Sequence, residues 1–183
     1  GVKAFGKINC LFNNAGICRS SLLIDCEDDV LNQIVDVNIK GAYIVASELA
    51  KHMKANGEGR IISTSSISAL KEEATNGFYC MSKAAVLMMT HVMAMELSKY
   101  GVTAVAVCPG HINTPLLRNS FVQRGAAEGK TVDEYFNEME GTIPMGRLAE
   151  PEEVGELVAF LCDDRSAYIN GNGILIAGGK VME

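Results

Sequence analysis

Apolar positions recur along this chain in two alternating patterns. Short runs rich in β-branched residues predict strands at about 8–12, 60–65, 103–108 and 173–176. Longer segments, with apolar residues spaced by threes and fours, predict helices at about 27–54, 78–100 and 151–162. Strands that alternate with long helices are typical of stacked βα units. We therefore expect one α/β domain over residues 1–183, with a parallel sheet between two helical layers.

Residues 115–145 interrupt this regular pattern. Short helices are expected around Leu116–Gln123 and Val132–Met139, separated by the small and polar stretch Gly125–Lys130. A long, loosely patterned insertion in a regular domain is usually functional. We expect this segment to form a lid over a substrate site.

Composition restricts the possible partners. Of the 183 residues, 48% are apolar and 21% are charged, as in ordinary globular proteins. The formal charge is −6, and the basic residues form no stripe of the kind that binds nucleic acid. No uninterrupted apolar run approaches a membrane span, and no secretory leader opens the chain. We expect a cytoplasmic protein that binds neither nucleic acid nor membrane.

The cysteines and histidines offer no metal-binding pattern. None of the six cysteines forms a C-x-x-C pair, and the three histidines are too widely spaced to complete a zinc site. In a chain of this size a disulfide framework is also a poor interpretation. We expect reduced cysteines and no bound metal.

Tyr79 and Lys83 carry the first candidate chemistry. They lie four residues apart on a predicted helix, so both project from one face. A tyrosine ordinarily ionises near pH ~10, and a nearby ammonium lowers that pKa. Such a tyrosine can take a proton from an alcohol or return one to a carbonyl oxygen. Alone, this spacing favours a packed tyrosine and a lysine that reaches solvent.

Two further polar residues allow alternative interpretations. Ser66 follows the second predicted strand, at the end of a parallel sheet where ligands bind, and its hydroxyl could bond a substrate oxygen. Alternatively, it belongs to a polar cluster that simply closes the strand. Asn38 occupies an apolar helix position, where a polar side chain needs a partner. Either a backbone carbonyl satisfies it, or it holds a water beside Lys83 and completes a proton path.

These residues belong to a longer series of motifs. In chain order the series is Asn13-Asn14-Ala15-Gly16, Val37-Asn38 with Gly41, Ser65-Ser66, Tyr79-x-x-x-Lys83, Pro109-Gly110-x-Ile112-x-Thr114, Pro144-Met145-x-Arg147 with Pro151-Glu152-Glu153, Asn170-Gly171 and Gly178-Gly179. With this order and spacing, the chain resembles the classical short-chain dehydrogenases/reductases over essentially its whole length. The resemblance implies a Rossmann-like, doubly wound parallel sheet and a hydride transfer between NAD or NADP and a secondary alcohol or ketone.

The resemblance also implies roles for individual residues. Tyr79 is similar to the family's acid/base, Ser66 to its substrate-orienting serine, and Lys83 to the lysine that binds the nicotinamide ribose and lowers the tyrosine pKa. Asn38 is similar to the residue that holds the relay water. The remaining cofactor contacts that the resemblance implies are Asn14, Ala15 and Gly16 on the adenosine side, and Pro109, Gly110, Ile112 and Thr114 around the nicotinamide. A dimer or tetramer of identical chains is implied as well.

Two features depart from the family pattern. The family opens with a strand and a T-G-x-x-x-G-x-G turn whose backbone amides hold the pyrophosphate, and these 183 residues contain no such turn. We therefore expect the sequence to be the C-terminal two-thirds of a longer protein. Taken alone, it should be inactive and fold poorly, because strand 8–12 would present an unpaired edge. The family's frequent Asp-Gly-Gly is also replaced here by Ala177-Gly178-Gly179.

Three functions remain open at this point. The leading hypothesis is a dehydrogenase of small alcohols, and the nearest rival is a 3-oxoacyl-carrier-protein reductase, which shares the motifs. The third is a non-catalytic truncated scaffold or partner subunit. The choice between NAD and NADP also stays open, because the charge that decides it follows the second strand of the family's fold. His111, beside the expected nicotinamide site, is a possible substrate contact.

Overall fold

A four-stranded parallel sheet lies at the centre of the structure. The computed structural model describes residues 1–181, apart from the side chains of 123–128. The strands are β1 (Cys10–Asn13), β2 (Gly59–Thr64), β3 (Val102–Pro109) and β4 (Gly173–Ile176), and they lie side by side in chain order. All three pairings are parallel. The predicted parallel α/β sheet is confirmed, with strand bounds that shift by one or two residues.

Helices cover both faces of this sheet. They are α1 (Val2–Phe5), α2 (Asp28–Ile34), α3 (Ala42–Asn56), α4 (Gly77–Leu97), α5 (Pro115–Glu128), α6 (Val132–Gly141) and α7 (Pro151–Leu161). A π-helical segment, Val35–Gly41, joins α2 to α3, so the two form the single long helix that the sequence predicts. Helix α5 extends beyond its expected end and continues to Glu128.

The core divides into two clusters because successive strand residues point to opposite faces of the sheet. On one face, α3 and α4 pack against β1, β2 and β3, with Met53, Met93 and Ile61 in one buried cluster. On the other face, Val158 and the rest of the buried side of α7 pack against Ile62 and its neighbours in β3. The arrangement is the expected three-layer α/β/α sandwich.

Helix ends follow from local chemistry. Gly57 takes a left-handed φ of 74°, which ends α3 and lets its N–H bond the carbonyls of the last turn. Pro151 begins α7, as the sequence predicts, because its fixed φ suits the first helical position and its missing N–H costs nothing there. The Glu153 carboxylate accepts from the backbone N–H of Glu150 at 2.9 Å and closes a capping box.

Helix α4 with the turn that follows it, Gly77–Tyr100, has the length and mean hydropathy of a membrane span. Length and composition are weak indications, since core helices of globular proteins share both. Val86, Met93 and Ala94 of this helix are buried in the α/β/α core. We therefore interpret α4 as a core helix.

The structure corrects the expectation that every cysteine is reduced. Cys10 on β1 and Cys162 after α7 form a disulfide, with their Cα atoms 6.2 Å apart. That separation is ordinary for a disulfide. The two residues are 152 positions apart in sequence, and they meet only because α7 packs across the face of the sheet near β1.

Candidate active site

A cleft of about 410 Å³ opens beyond the carboxyl ends of the strands. Its walls come from the segments that follow β1, β2 and β3, and from α4, α5 and α7. In parallel sheets ligands bind at this edge, because loops from several strands converge there.

The cleft brings together most of the residues that the sequence identifies. Those that line it are Asn14, Gly16, Ser66, Tyr79, Lys83, Pro109, Gly110, Ile112 and Thr114. Ala15 and Asn38 are also described by the structure, and they lie outside the lining. Asn38 is directly behind the wall, in contact with the segment that follows β1.

Ser66 and Tyr79 form a hydrogen-bonded pair in the cleft. Their hydroxyls interact directly, and Ser66 also caps the turn after β2 by accepting from the backbone N–H of Ser68 at 3.1 Å. Burial raises the pKa of Tyr79 above its ordinary value, and electrostatic interactions with Cys18 and Glu73 act in the same direction. The sequence suggested that Lys83 would lower this pKa, but in the structure burial dominates.

Lys83 is held at the end of β2. Its Nζ donates to the carbonyl of Thr64 at 2.9 Å and lies 5.6 Å from the centre of the Tyr79 ring. Only 4% of the residue is exposed, and this burial lowers the pKa of Lys83 to about 8. The ammonium therefore keeps its charge at neutral pH, close to the tyrosine, but at a cost in solvation.

Asn38 lies in the π-helical segment and fastens it to the neighbouring loop. Its Oδ1 accepts from the N–H of Ile17 at 2.8 Å, and its Nδ2 donates to the carbonyl of Ile17 at 2.9 Å. The same Nδ2 donates to the hydroxyl of Ser82 at 3.0 Å. Backbone partners thus satisfy this buried amide, as one of the two sequence interpretations expects. A part for Asn38 in a proton path stays a prediction.

Two glycines bring backbone close to the cleft. A Cβ on Gly16 would lie 3.3 Å from the Nζ of Lys83 and 3.4 Å from the Oδ1 of Asn38. A Cβ on Gly110 would lie 2.9 Å from the Cα of Ala177, so a side chain there would push β3 away from the last strand. At Gly16 the absence of a side chain therefore leaves the backbone beside the buried ammonium of Lys83. The donor set fits the nicotinamide ribose, whose hydroxyls Lys83 can bind.

The segment between Ser66 and Tyr79 contributes a polar wall that the sequence did not reveal. Glu73 and Asn76 line the cleft, and the Nδ2 of Asn76 donates to the Oε2 of Glu73 at 2.8 Å. Between them, Thr75 has a φ of 65°, a left-handed conformation that β-branched residues rarely adopt. No periodicity marks this segment, so only the position of Asn76 just before α4 could have suggested it.

Helix α5 contributes mainly apolar residues to the cleft lining. Leu116, Leu117 and Phe121 of α5 line it, and Phe121 packs edge-on against Phe136 of α6 with ring centres 5.0 Å apart. Helix α5 therefore contributes directly to the cleft lining, and α6 packs against α5. His111, whose sequence position suggested a substrate contact, also lines the cleft.

The described residues include no metal centre. Within residues 1–181, leaving aside the side chains of 123–128, no group of three His, Cys, Asp or Glu side chains is placed to hold a metal ion.

Known proteins that this chain resembles are described as reductases and oxidoreductases. The family described as enoyl-(acyl carrier protein) reductase matches residues 2–180. The oxidoreductase UcpA of Escherichia coli K12 is 36% identical over 178 residues, which are 97% of this chain and 66% of UcpA. The 3-oxoacyl-[acyl-carrier-protein] reductase FabG of Thermotoga maritima is 33% identical, across 99% of this chain and 69% of FabG.

Solved structures agree with the sequence relatives. The crystal structure of levodione reductase superposes with a TM-score of 0.90 at 28% identity, over 98% of this chain and 69% of that protein. The chain thus spans 66% to 69% of the length of these relatives.

Proposed function

The chain belongs to the short-chain dehydrogenase/reductase family of oxidoreductases, and we propose that the protein containing it transfers a hydride between NAD or NADP and a secondary alcohol or ketone. The observation that carries the proposal is the meeting of Ser66, Tyr79 and Lys83 in one cleft at the carboxyl end of the sheet. Each of the three residues alone has a structural explanation. Together they provide a proton donor, its hydrogen-bond partner and a buried cation around one ligand-sized space.

The proposed proton chemistry follows from the pKa of Tyr79. Because burial raises this pKa, the hydroxyl is protonated at neutral pH and can donate to a carbonyl oxygen that gains charge. The hydroxyl of Ser66 is placed to bond the same oxygen. When bound, the nicotinamide supplies or accepts the hydride. In the alcohol direction Tyr79 must first lose its proton, and the Lys83 ammonium beside its ring favours the phenolate.

Asn14, Gly16, Pro109, Gly110, Ile112 and Thr114 line the same cleft, and we assign them with Lys83 to the nicotinamide side. A cofactor contact by Ala15 stays a proposal that rests on family resemblance alone. We propose that residues 115–145 act as the substrate lid within a single domain, because α5 closes the apolar side of the cleft.

We also propose a homo-oligomer. Tyr43, Ile44 and Val45 on α3, with Met88 and Met95 on α4, leave apolar side chains 45% to 84% exposed. Large exposed apolar patches mark interaction sites, and we infer that these side chains form one. In the family, these two helices pack against their equivalents in a second subunit.

A 3-oxoacyl-carrier-protein reductase is the second candidate. The FabG relative and the enoyl reductase description of the matching family favour it. The chemistry at Tyr79 would be unchanged, since a β-ketone accepts the same hydride and proton. The substrate would instead carry a long acyl arm along the lid.

The test uses the enzyme as its source produces it, which carries these 183 residues. Reduction of cyclohexanone and of acetoacetyl-carrier protein is followed with NADH and with NADPH through the nicotinamide absorbance. Turnover of the cyclic ketone supports the alcohol dehydrogenase, and turnover of the thioester alone supports the second candidate. Nicotinamide binding without turnover of either compound would contradict both and favour a non-catalytic scaffold.

A further inference from the structure

A row of hydrogen-bonded groups runs from the proposed proton donor to a carboxylate in the cleft wall. The Tyr79 hydroxyl interacts with Ser66, whose Oγ bonds the Oγ of Ser68 at 3.2 Å. Ser68 donates to the Oε1 of Glu73 at 3.1 Å, and Asn76 donates to its Oε2 at 2.8 Å. All five residues line the cleft. The hydride-transfer chemistry requires only the first two of them.

The carboxylate of Glu73 is fixed from both sides. Ser68 is 5% exposed and Asn76 is 4% exposed, so its donors belong to the rigid interior. The oxygen of Asn76 in turn accepts from Ser20 at 3.3 Å, which ties this wall to the segment after β1. A carboxylate has about four acceptor positions, and the bonds from Ser68 and Asn76 fix its orientation in the wall.

The wall contains a residue with a strained backbone conformation. Thr75 keeps its left-handed φ of 65°, and its carbonyl accepts from the N–H of Ser21 at 2.7 Å. Strained residues persist where the surrounding structure over-determines them, and they concentrate at ligand sites. Here the strained residue turns the chain between Glu73 and Asn76, so that both side chains face the cleft.

The position of Glu73 defines what it could recognise. Two hydrogen bonds, of 3.2 and 3.1 Å, separate its Oε1 from the Oγ of Ser66. A ligand of a few carbon atoms can therefore place one oxygen on Ser66 and a second group on Glu73. Leu116, Leu117 and Phe121 line the same cleft, and we expect the hydrocarbon side of such a ligand to contact them.

We propose that Glu73, fixed by Ser68 and Asn76, is a specificity-determining residue that binds a second hydroxyl of the substrate near the reacting carbon. The inference rests on the proposed function and names its substrate class as vicinal diols and hydroxyketones with one apolar face. A monofunctional alcohol can reach Ser66 and Tyr79 but has no second hydroxyl to donate to the carboxylate. A hydrogen bond to a charged group favours the diol by at least about tenfold.

The test compares cyclohexanol with trans-1,2-cyclohexanediol, which differ by one hydroxyl. The readout is the ratio of kcat/KM for the diol to kcat/KM for the monoalcohol, so a general loss of folding or activity cancels. We expect Glu73→Leu to lower this ratio by about tenfold or more, and Glu73→Gln, which keeps one acceptor oxygen, to lower it less. Glu72→Leu is the matched control, because Glu72 is exposed and lies outside the cleft lining. We expect that control to leave the ratio unchanged.

Binding of the same two probes to the Tyr79→Phe variant, measured by equilibrium titration in the presence of cofactor, separates recognition from turnover. We expect the diol to bind more tightly, and to lose that advantage when Glu73→Leu is added. Equal binding of both probes, or a diol preference that survives Glu73→Leu, overturns the assignment of Glu73. Selective diol binding in an enzyme that turns over neither compound supports the assignment of Glu73 and contradicts the proposed reaction.

Discussion

Replacement of Asn38 by alanine is the sharpest structural perturbation that the site offers. The amide is 1% exposed and makes three hydrogen bonds, two to the backbone of Ile17 and one to Ser82. An alanine at this position removes all three bonds and leaves buried or half-buried partners without a replacement. The variant should therefore loosen the contact between the π-helical segment and the loop that follows β1.

The size of the effect follows from the bonds that are lost. At about 0.5–1.5 kcal/mol each, three hydrogen bonds correspond to about 2–4 kcal/mol of unfolding free energy. Alanine is the better helix former by up to about 0.7 kcal/mol, which offsets a small part. Asn32→Ala measures that gain alone, because Asn32 is exposed on α2.

Urea denaturation of the cofactor-free enzyme, followed by circular dichroism, gives the two free energies. We expect Asn38→Ala to lose about 2–4 kcal/mol and Asn32→Ala to lose none. Hydrogen exchange at the Ile17 amide should also become faster in Asn38→Ala only. A loss below about 1 kcal/mol, with unchanged exchange, would refute the assignment of these bonds as structural.

Three further predictions follow from the fold. Gly101→Ala should cost about 2–4 kcal/mol in a thermal or urea unfolding assay, because Gly101 has a φ of 75° and its Cβ would overlap the carbonyl oxygen of Gly57. Gly141→Ala, in open space at the end of α6, should lose nothing and gain up to about 1 kcal/mol. The free energy of unfolding of the cofactor-free enzyme should rise between pH 8 and 10.5. In this range Lys83 still binds its proton in the unfolded chain but has released it in the folded protein. Lys83→Met should abolish that rise. Met95→Glu, at a side chain that is 84% exposed, should reduce the mass measured by light scattering, and an unchanged mass would contradict an interface at this position.

The alternation of strands and helices could be predicted from periodicity, because Ile61 and Ile62 each face a packed layer and the strands therefore appear as short apolar runs. Periodicity did not reveal the π-helical turn around Asn38, since one extra residue in a turn changes the spacing too little. The disulfide of Cys10 with Cys162 depends on the packing of α7, which spacing along the chain does not show.

The site was predictable only in part. The spacing of Ser66, Tyr79 and Lys83 resembles that of a known family, and this resemblance groups them where the spacing alone would not. Glu73 and Asn76 face the cleft because of the conformation of a single strained loop. The pKa of Tyr79 was also beyond sequence reasoning, because burial and a neighbouring cation act in opposite directions and only the three-dimensional structure shows which dominates.

Turnover by the Tyr79→Phe enzyme tests the central claim most directly. The oxidation and reduction rates of the best alcohol–ketone pair are measured alongside cofactor affinity, with Tyr168→Phe as the control at a fully exposed tyrosine. We expect Tyr79→Phe to lose at least about 10²-fold in kcat while cofactor affinity changes little, and Tyr168→Phe to lose nothing. Near-normal turnover in Tyr79→Phe would contradict the assignment of Tyr79 as the proton donor and, with it, the proposed mechanism.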